Sequence, residues 1–227
     1  KNWIMYYPVE YLLSRWTSIL ITISKDDYEL SKKMRAKKNV YIPGVGIDLS
    51  KFQRRMLNDR NPELRNAVGV PEDAKVFLSV GELNQNKNHG EAIKAIQKVG
   101  RSDVYYVICG DGELKDKYTE LINDLGLQKS VILAGYQSDI SAYYRMADYY
   151  IHPSLREGLP AAIMEAIATG LPVIATNFRG ISDIISDPRY LFDAGNVDDI
   201  VRGLNVCLHG DHVQIVEEEY RSEEHTS

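Results

Sequence analysis

Cysteine is scarce in the 227-residue sequence: only Cys109 and Cys207 occur, beside five histidines. So small a set offers neither a disulfide framework nor a zinc site with suitably spaced ligands. A reducing, cytoplasmic setting is expected. No apolar run approaches the roughly 20 residues needed to cross a bilayer, and the first residues lack a signal-peptide pattern. Positive charge is also short, since 27 Lys and Arg against 32 Asp and Glu leave a formal net charge of -5. A nucleic-acid binder normally carries a basic footprint, so no nucleic-acid partner is expected. No Asp-x-Asp pair occurs either, and no metal site is expected.

What is present is an ordinary globular composition, 44% apolar and 26% charged, enough for one full domain and part of another. Short apolar runs alternate with amphipathic stretches, as in helices packed on a parallel sheet. Strands are predicted at 19–23, 40–42, 76–80, 104–108, 131–133, 149–151, 172–175 and 190–192. The near-continuous hydrophobicity of the last six implies cover on both faces. The fold class is therefore α/β: a Rossmann-like parallel sheet with helices on both faces.

Helix ends are readable in places. Ser24 is placed as the N-cap of a helix running to about Met34, with Asp26 and Asp27 in its first turn. Asn88 and Glu91 form a capping-box pattern before the stripe Ala92, Ile93, Ile96 and Val99, which Gly100 ends. A further helix from about Gly112 to Leu125 stops at Gly126. Pro43 to Asp48 breaks regularity with two glycines and a proline, and is read as a hinge.

In an open parallel sheet, ligands bind beyond the carboxyl ends of the strands. Four loops fall there: Gly81 to Asn88, Gly110 to Glu113, Gly135 to Asp139 and His152 to Pro160. The last reads His152-Pro153-Ser154-Leu155-Arg156-Glu157-Gly158-Leu159-Pro160 and runs into a helix carrying Glu165. Pro160 is preorganised for the first helical turn. Gly158 admits a close ligand, and the free amides around Leu159 would attract an anion. Glu157 is placed to accept hydrogen bonds from sugar hydroxyls, and Glu165 to reach a ribose diol. Two solvated glutamates at a helix start would look the same.

In the first loop, Gly81 precedes Lys87, which sits just ahead of a helix and suits a diphosphate. A surface lysine in a polar loop is the plainer alternative. Gly110-Asp111-Gly112 is either a nucleotide contact or a tight turn. His152 is read as a structural hydrogen-bonding residue and His89 as part of a capping turn. The basic run Ser31 to Lys38 suits either a solvated helix end or peripheral contact with anionic lipid.

Together these features resemble the C-terminal domain of the family 4, or group 1, retaining glycosyltransferases of the GT-B fold. The resemblance covers about Ile42 to Tyr220. It rests on the Glu-x7-Glu motif within His-Pro-Ser-x-x-Glu-Gly-Leu-Pro, on Gly-Leu-Pro-Val-Ile-Ala-Thr from Gly170, and on the Lys-Asn pair at Lys87. It implies that Glu157 contacts the donor sugar, Glu165 the ribose and Lys87 the diphosphate. Glu157 and Lys87 then become the catalytic pair, with Gly81, Gly158, Leu159 and Glu165 completing the donor site. Glu82 stands where many members carry arginine.

The implied activity is transfer from a nucleotide-diphosphate sugar, such as a uridine diphosphate sugar, to a glycan or lipid-linked acceptor. Configuration would be retained, without metal or other cofactor. A nucleotide-sugar epimerase of the same fold and a non-catalytic nucleotide-binding module are the alternatives. The implied division is a remnant of the acceptor domain at 1–42, a hinge at 43–52, and the donor domain at 53–220. Residues 221–227 match the translation of a common sequencing-adapter oligonucleotide, and the sequence starts in mid-pattern. The chain is thus expected to lack most of its N-terminal domain, and to work in the cytoplasm, in part at the inner face of the membrane.

Overall fold

A strand whose consecutive side chains are all apolar can be satisfied only where both faces of its sheet are covered. The computed structural model, which describes residues 3–42, 46–52, 60–158, 160–178, 181 and 184–210, carries this through. Its strands are β1 (Ile19–Thr22), β2 (Lys38–Tyr41), β3 (Lys75–Val80), β4 (Val104–Cys109), β5 (Val131–Gly135), β6 (Tyr149–His152), β7 (Val173–Thr176) and β8 (Leu191–Phe192). Every residue of β6 and β7 is buried. The helices are α1 (Trp3–Leu13), α2 (Lys25–Ser31), α3 (Pro62–Ala67), α4 (His89–Val99), α5 (Lys115–Asp124), α6 (Ile140–Met146), α7 (Ala161–Ala168) and α8 (Val197–Leu208).

Two compact units divide the chain, Lys1–Gly46 and Ile47–Ser227. In the first, β1 and β2 pair in parallel. Ser24 caps α2 as expected, accepting from the Asp27 amide. The helix ends at Ser31, short of Met34: the Met34 amide turns back to the Ser31 carbonyl, which also accepts from the Asn39 side chain, and the Arg35 amide donates to the Ser14 hydroxyl. Residues 43–45 of the expected hinge lie outside the described residues. Phe52, at its far end, is buried with its ring edge-on to Tyr144.

In the second unit the six strands are all parallel, in the order β5-β4-β3-β6-β7-β8. The chain builds outward from β3 through β4 to β5, then returns to lay β6 against the other side of β3. This is the doubly wound arrangement, with its switch point between β3 and β6. Helices flank the sheet. The α4 stripe is buried at Ala92, Ile93 and Ile96, and Gly100 ends it in the left-handed region. Helix α5 starts at Lys115, later than expected, because Leu114 and Gly112 are held by the first loop, as described below. Cys109 and Cys207 are both buried and unpaired.

The return of β6 is fixed by a buried ion pair that the sequence did not announce. Arg65 of α3 is 1% exposed. Its guanidinium donates to the carbonyls of Met146, Glu72 and Ala74 and pairs with Asp148 at 2.9 Å. Asp148 in turn accepts from the Val76 amide of β3 at 2.9 Å. One charge pair thus ties α3 and the entry to β6 to the entry of β3. Arg65→Met would take from Asp148 its buried cation, leaving Arg60 farther off at 3.4 Å, and remove the donor from three carbonyls. A loss of about 3–5 kcal/mol is expected, read as a lower denaturation midpoint in urea.

Candidate functional site at the β3–β6 switch point

Because β3 and β6 are neighbours, the loops that leave their carboxyl ends, Gly81–Asn88 and Pro153–Pro160, face each other. Backbone and amide bonds join them. The Leu155 amide donates to the Asn86 carbonyl at 2.8 Å, and the Asn86 side chain donates to the Arg156 carbonyl at 2.9 Å. Asn88 donates to the carbonyls of Pro153 and Ala194.

Lys87 is aimed by its own loop. Its amide donates to Asn84 Oδ1 at 3.0 Å, and its methylene stem lies over Gly81, where an added Cβ would sit 3.1 Å from Lys87 Cδ. Gly81 is in turn packed from behind. A Cβ on Gly110, whose φ is +152°, would fall 1.9 Å from the Gly81 carbonyl oxygen, and one on Gly112 would meet Leu83 at 2.7 Å. The Gly-x-Gly therefore lets the β4 loop support the Lys87 loop at backbone contact. Leu83 accepts from the Leu114 amide and donates to Asp111, closing this contact.

At the end of the lysine stem, Nζ meets Glu157 Oε1 at 2.6 Å. His152 Nε2 lies 3.6 Å from the same oxygen. Burial alone would push the Glu157 carboxyl up, but the His152 and Lys87 donors and the lysine charge outweigh it, holding it down at about 2. Glu157 is thus ionised at neutral pH. Burial lowers the His152 pKa, against the neighbouring Glu157 carboxylate, and the Lys87 charge acts in the same sense as burial. Glu165 lies in α7, where its Oε2 accepts from the Tyr144 hydroxyl at 2.9 Å. Burial raises its pKa, against the Tyr144 hydrogen bond and the Lys51 charge.

Beneath the loops runs a buried polar line. The Ser79 hydroxyl donates to the Ile151 carbonyl at 2.6 Å, and the Tyr106 hydroxyl donates to Ser79 at 2.9 Å. With both hydroxyl protons committed, the contact of His89 Nδ1 with the Tyr106 oxygen at 3.2 Å needs its proton on the histidine.

The family model described as "Glycosyl transferases group 1" matches residues 60–222. The chain belongs to the group 1 glycosyltransferases. It is 35% identical over 215 residues to the putative glycosyltransferase EpsD of Bacillus subtilis (strain 168), covering 92% of this chain and 56% of that protein. It is 31% identical over 211 residues to the Escherichia coli UDP-Gal:alpha-D-GlcNAc-diphosphoundecaprenol alpha-1,3-galactosyltransferase, covering 88% and 54%. The chain thus spans about half the length of these relatives. Among solved structures, Anabaena Alr3699/HepE in complex with UDP superposes with a TM-score of 0.80 at 21% identity, over 95% of this chain and 60% of that one. The C-terminal domain of the group 1 protein LpcC from Francisella tularensis gives 0.64 at 22% identity, over 75% and 91%. These two likenesses establish the GT-B type of fold.

Within this group 1 chain, Lys87, Glu157 and Gly81 come together in one cluster, and the space around a Cβ on Gly158 is open. Glu165 is held by Tyr144, a residue the sequence reading passed over. Leu159 lies outside the described residues. Three local readings are corrected. Asn88 is left-handed with φ 55° and caps nothing through its side chain, because its amide bridges two distant loops instead. Glu91 accordingly pairs with Lys94 at 2.7 Å. Pro160 is the N-cap of α7, extended at ψ 116°, one residue earlier than the first turn. His89 is no capping-turn residue but the buried first residue of α4, 1% exposed. His152, read as structural, faces the Lys87–Glu157 pair.

Two outcomes follow from this geometry. Gly110→Ala is expected to cost about 3 kcal/mol or more, because the added methyl meets the backbone of Gly81 and not a side chain that can turn away. A urea denaturation curve measures it, and a cost under about 0.5 kcal/mol would contradict the contact. Burial first, then His152 and Lys87, depress the His89 pKa from 6.5 to about 3. The unfolded chain therefore gains a proton first as pH falls. The stability held above pH 6.5 should drain away between there and about 3, with a slope from this residue approaching about 1.4 kcal/mol per pH unit. Comparison with His89→Met, which should lack that component, isolates it.

Proposed function

We propose that the second unit binds the donor of a retaining, metal-independent glycosyltransferase that moves a sugar from a nucleotide diphosphate to a glycan or lipid-linked acceptor. The observation that carries this is the Lys87–Glu157 pair at 2.6 Å, set between the carboxyl ends of β3 and β6. A nucleoside diphosphate departs readily once its charge is stabilised. Lys87 and the amides opening α7 supply positive potential there, since first-turn amides lack intrahelical partners. Glu157, ionised, faces the sugar, whose anomeric carbon becomes cation-like as its bond breaks. Glu165, anchored by Tyr144, accepts from the ribose diol.

A relative named for galactosyl transfer to a diphosphoundecaprenol-linked sugar, and a neighbour whose structure holds UDP and glucose, support a uridine diphosphate sugar and a lipid-linked acceptor. The acceptor site belongs to an N-terminal domain in the half of the relatives that this chain does not match. Glu82 offers no positive charge to a diphosphate, so Lys87 carries that task. Work at the cytoplasmic face of a membrane suits such an acceptor; among the described residues no helix is long and apolar enough to cross one.

Calorimetry with UDP tests the donor reading on this chain. Binding is expected, and Lys87→Ala should weaken it about ten- to a hundredfold, the equivalent of a charge-assisted hydrogen bond of about 1.5–3 kcal/mol. Glu165→Gln should also weaken UDP alone, because a ribose contact needs no sugar. In the longer protein, Glu157→Gln should act chiefly on turnover. Unchanged UDP affinity in Lys87→Ala would defeat the assignment. Binding without any transfer by the longer protein would leave a nucleotide-binding module.

A further inference from the structure

The cation proposed for the diphosphate is already occupied. Lys87 Nζ sits 2.6 Å from Glu157 Oε1, so a diphosphate competes with this carboxylate for the ammonium, and one that takes it over opens the pair. That would leave a carboxylate, only 17% exposed, without its cation. Two further donors stand beside it, close enough to help hold the carboxylate ionised, yet neither completes a hydrogen bond while Lys87 is there. His152 is 2% exposed and Ser154 1%, and neither His152 Nε2 nor Ser154 Oγ has a hydrogen-bond partner among the described residues. Nε2 lies 3.6 Å from the oxygen that Lys87 holds, just outside hydrogen-bond reach. The other ring nitrogen, Nδ1, lies 3.3 Å from the Tyr150 hydroxyl. With Tyr150 donating to Nδ1, the proton of the neutral ring sits on Nε2, the nitrogen that faces Glu157.

We propose that His152 and Ser154 are the reserve partners of Glu157: when a nucleoside diphosphate draws Lys87 away, the carboxylate passes to the His152 Nε2–H and the Ser154 hydroxyl. This rests on the donor-site reading above. No proton changes hands and no covalent bond is made; one ion pair opens, a second forms between Lys87 and phosphate, and hydrogen bonds close on Glu157. His152 is a positioning residue in this scheme. It keeps the negative charge beside the sugar while the positive charge moves to the phosphate, so the two charges of the pair are parted along the bond that breaks. The Tyr150 ring, stacked on His152 at 6.1 Å, and Phe178 at 6.2 Å hold the imidazole plane against turning away.

The test is a double-mutant cycle on UDP affinity, measured by calorimetry with this 227-residue chain. His152→Leu should weaken UDP about five- to tenfold while Glu157 is present, and less than about twofold in a Glu157→Gln background, where Lys87 has no carboxylate to leave. His152→Gln, which keeps an N–H at similar reach, should bind within about twofold of the unmodified chain. Imidazole ¹⁵N–¹H spectra of the unmodified chain give a reading that needs no variant: the His152 Nε2–H resonance should move downfield when UDP saturates the site. An equal loss in both Glu157 backgrounds, no loss in either, or a His152 resonance unmoved by bound UDP would overturn the proposal. Failure of the unmodified chain to bind UDP would instead defeat the donor-site reading itself, and this inference with it.

Discussion

The seam between β3 and β6 is the constraint on which the rest of the second unit depends. Only Phe77↔Tyr149 and Leu78↔Tyr150 are paired along it. So short a ladder needs help, and receives it at both ends. Asp148 accepts from the Val76 amide at one end, and the Ser79 hydroxyl donates to the Ile151 carbonyl at the other. If the seam slipped by a residue, β6 would exchange its faces, and the two loops that carry Lys87 and Glu157 would no longer meet. The geometry of the Lys87–Glu157 pair is thus set by buried polar contacts well below the loops that carry it.

The same seam explains how charges of opposite sign coexist at one point. Lys87 is held by a stem lying on Gly81, itself supported by the glycines of the β4 loop. Glu157 comes from a loop stitched to the first through Asn86. Neither charge is placed by the other, since each is delivered by backbone. The exchange of partners proposed above would therefore need no rebuilding of either loop.

The strands of the larger sheet were readable in the sequence because burial on both faces leaves them mostly apolar, and that pattern survives tertiary detail. The strand order was not, because the return of β6 depends on Arg65 and Asp148, whose pairing spans 83 residues. Local signals failed where distant groups outbid them. Asn88 had every local reason to cap α4, yet its amide serves two carbonyls from far along the chain. The motif glutamates and Lys87 were legible as residues with chemistry. That Lys87 and Glu157 touch, and that Tyr144 anchors Glu165 from another helix, belongs to the fold alone. His152 shows the limit most plainly, for nothing in its own segment distinguishes a packing histidine from one aimed at a carboxylate.

The two thiols offer a different kind of consequence. Cys109 ends β4 and Cys207 lies within α8, each buried, with burial pushing the Cys207 thiol up to about 12 and that of Cys109 higher still. A thiol so far from its thiolate and so far from solvent is inert to maleimides and to disulfide exchange. To surface chemistry the folded chain behaves as though it had no cysteine at all. A single cysteine introduced on the exposed rim of the site, for instance at Arg156, would therefore take a fluorophore or spin label alone, with no need to strip the native thiols from the core they help to fill.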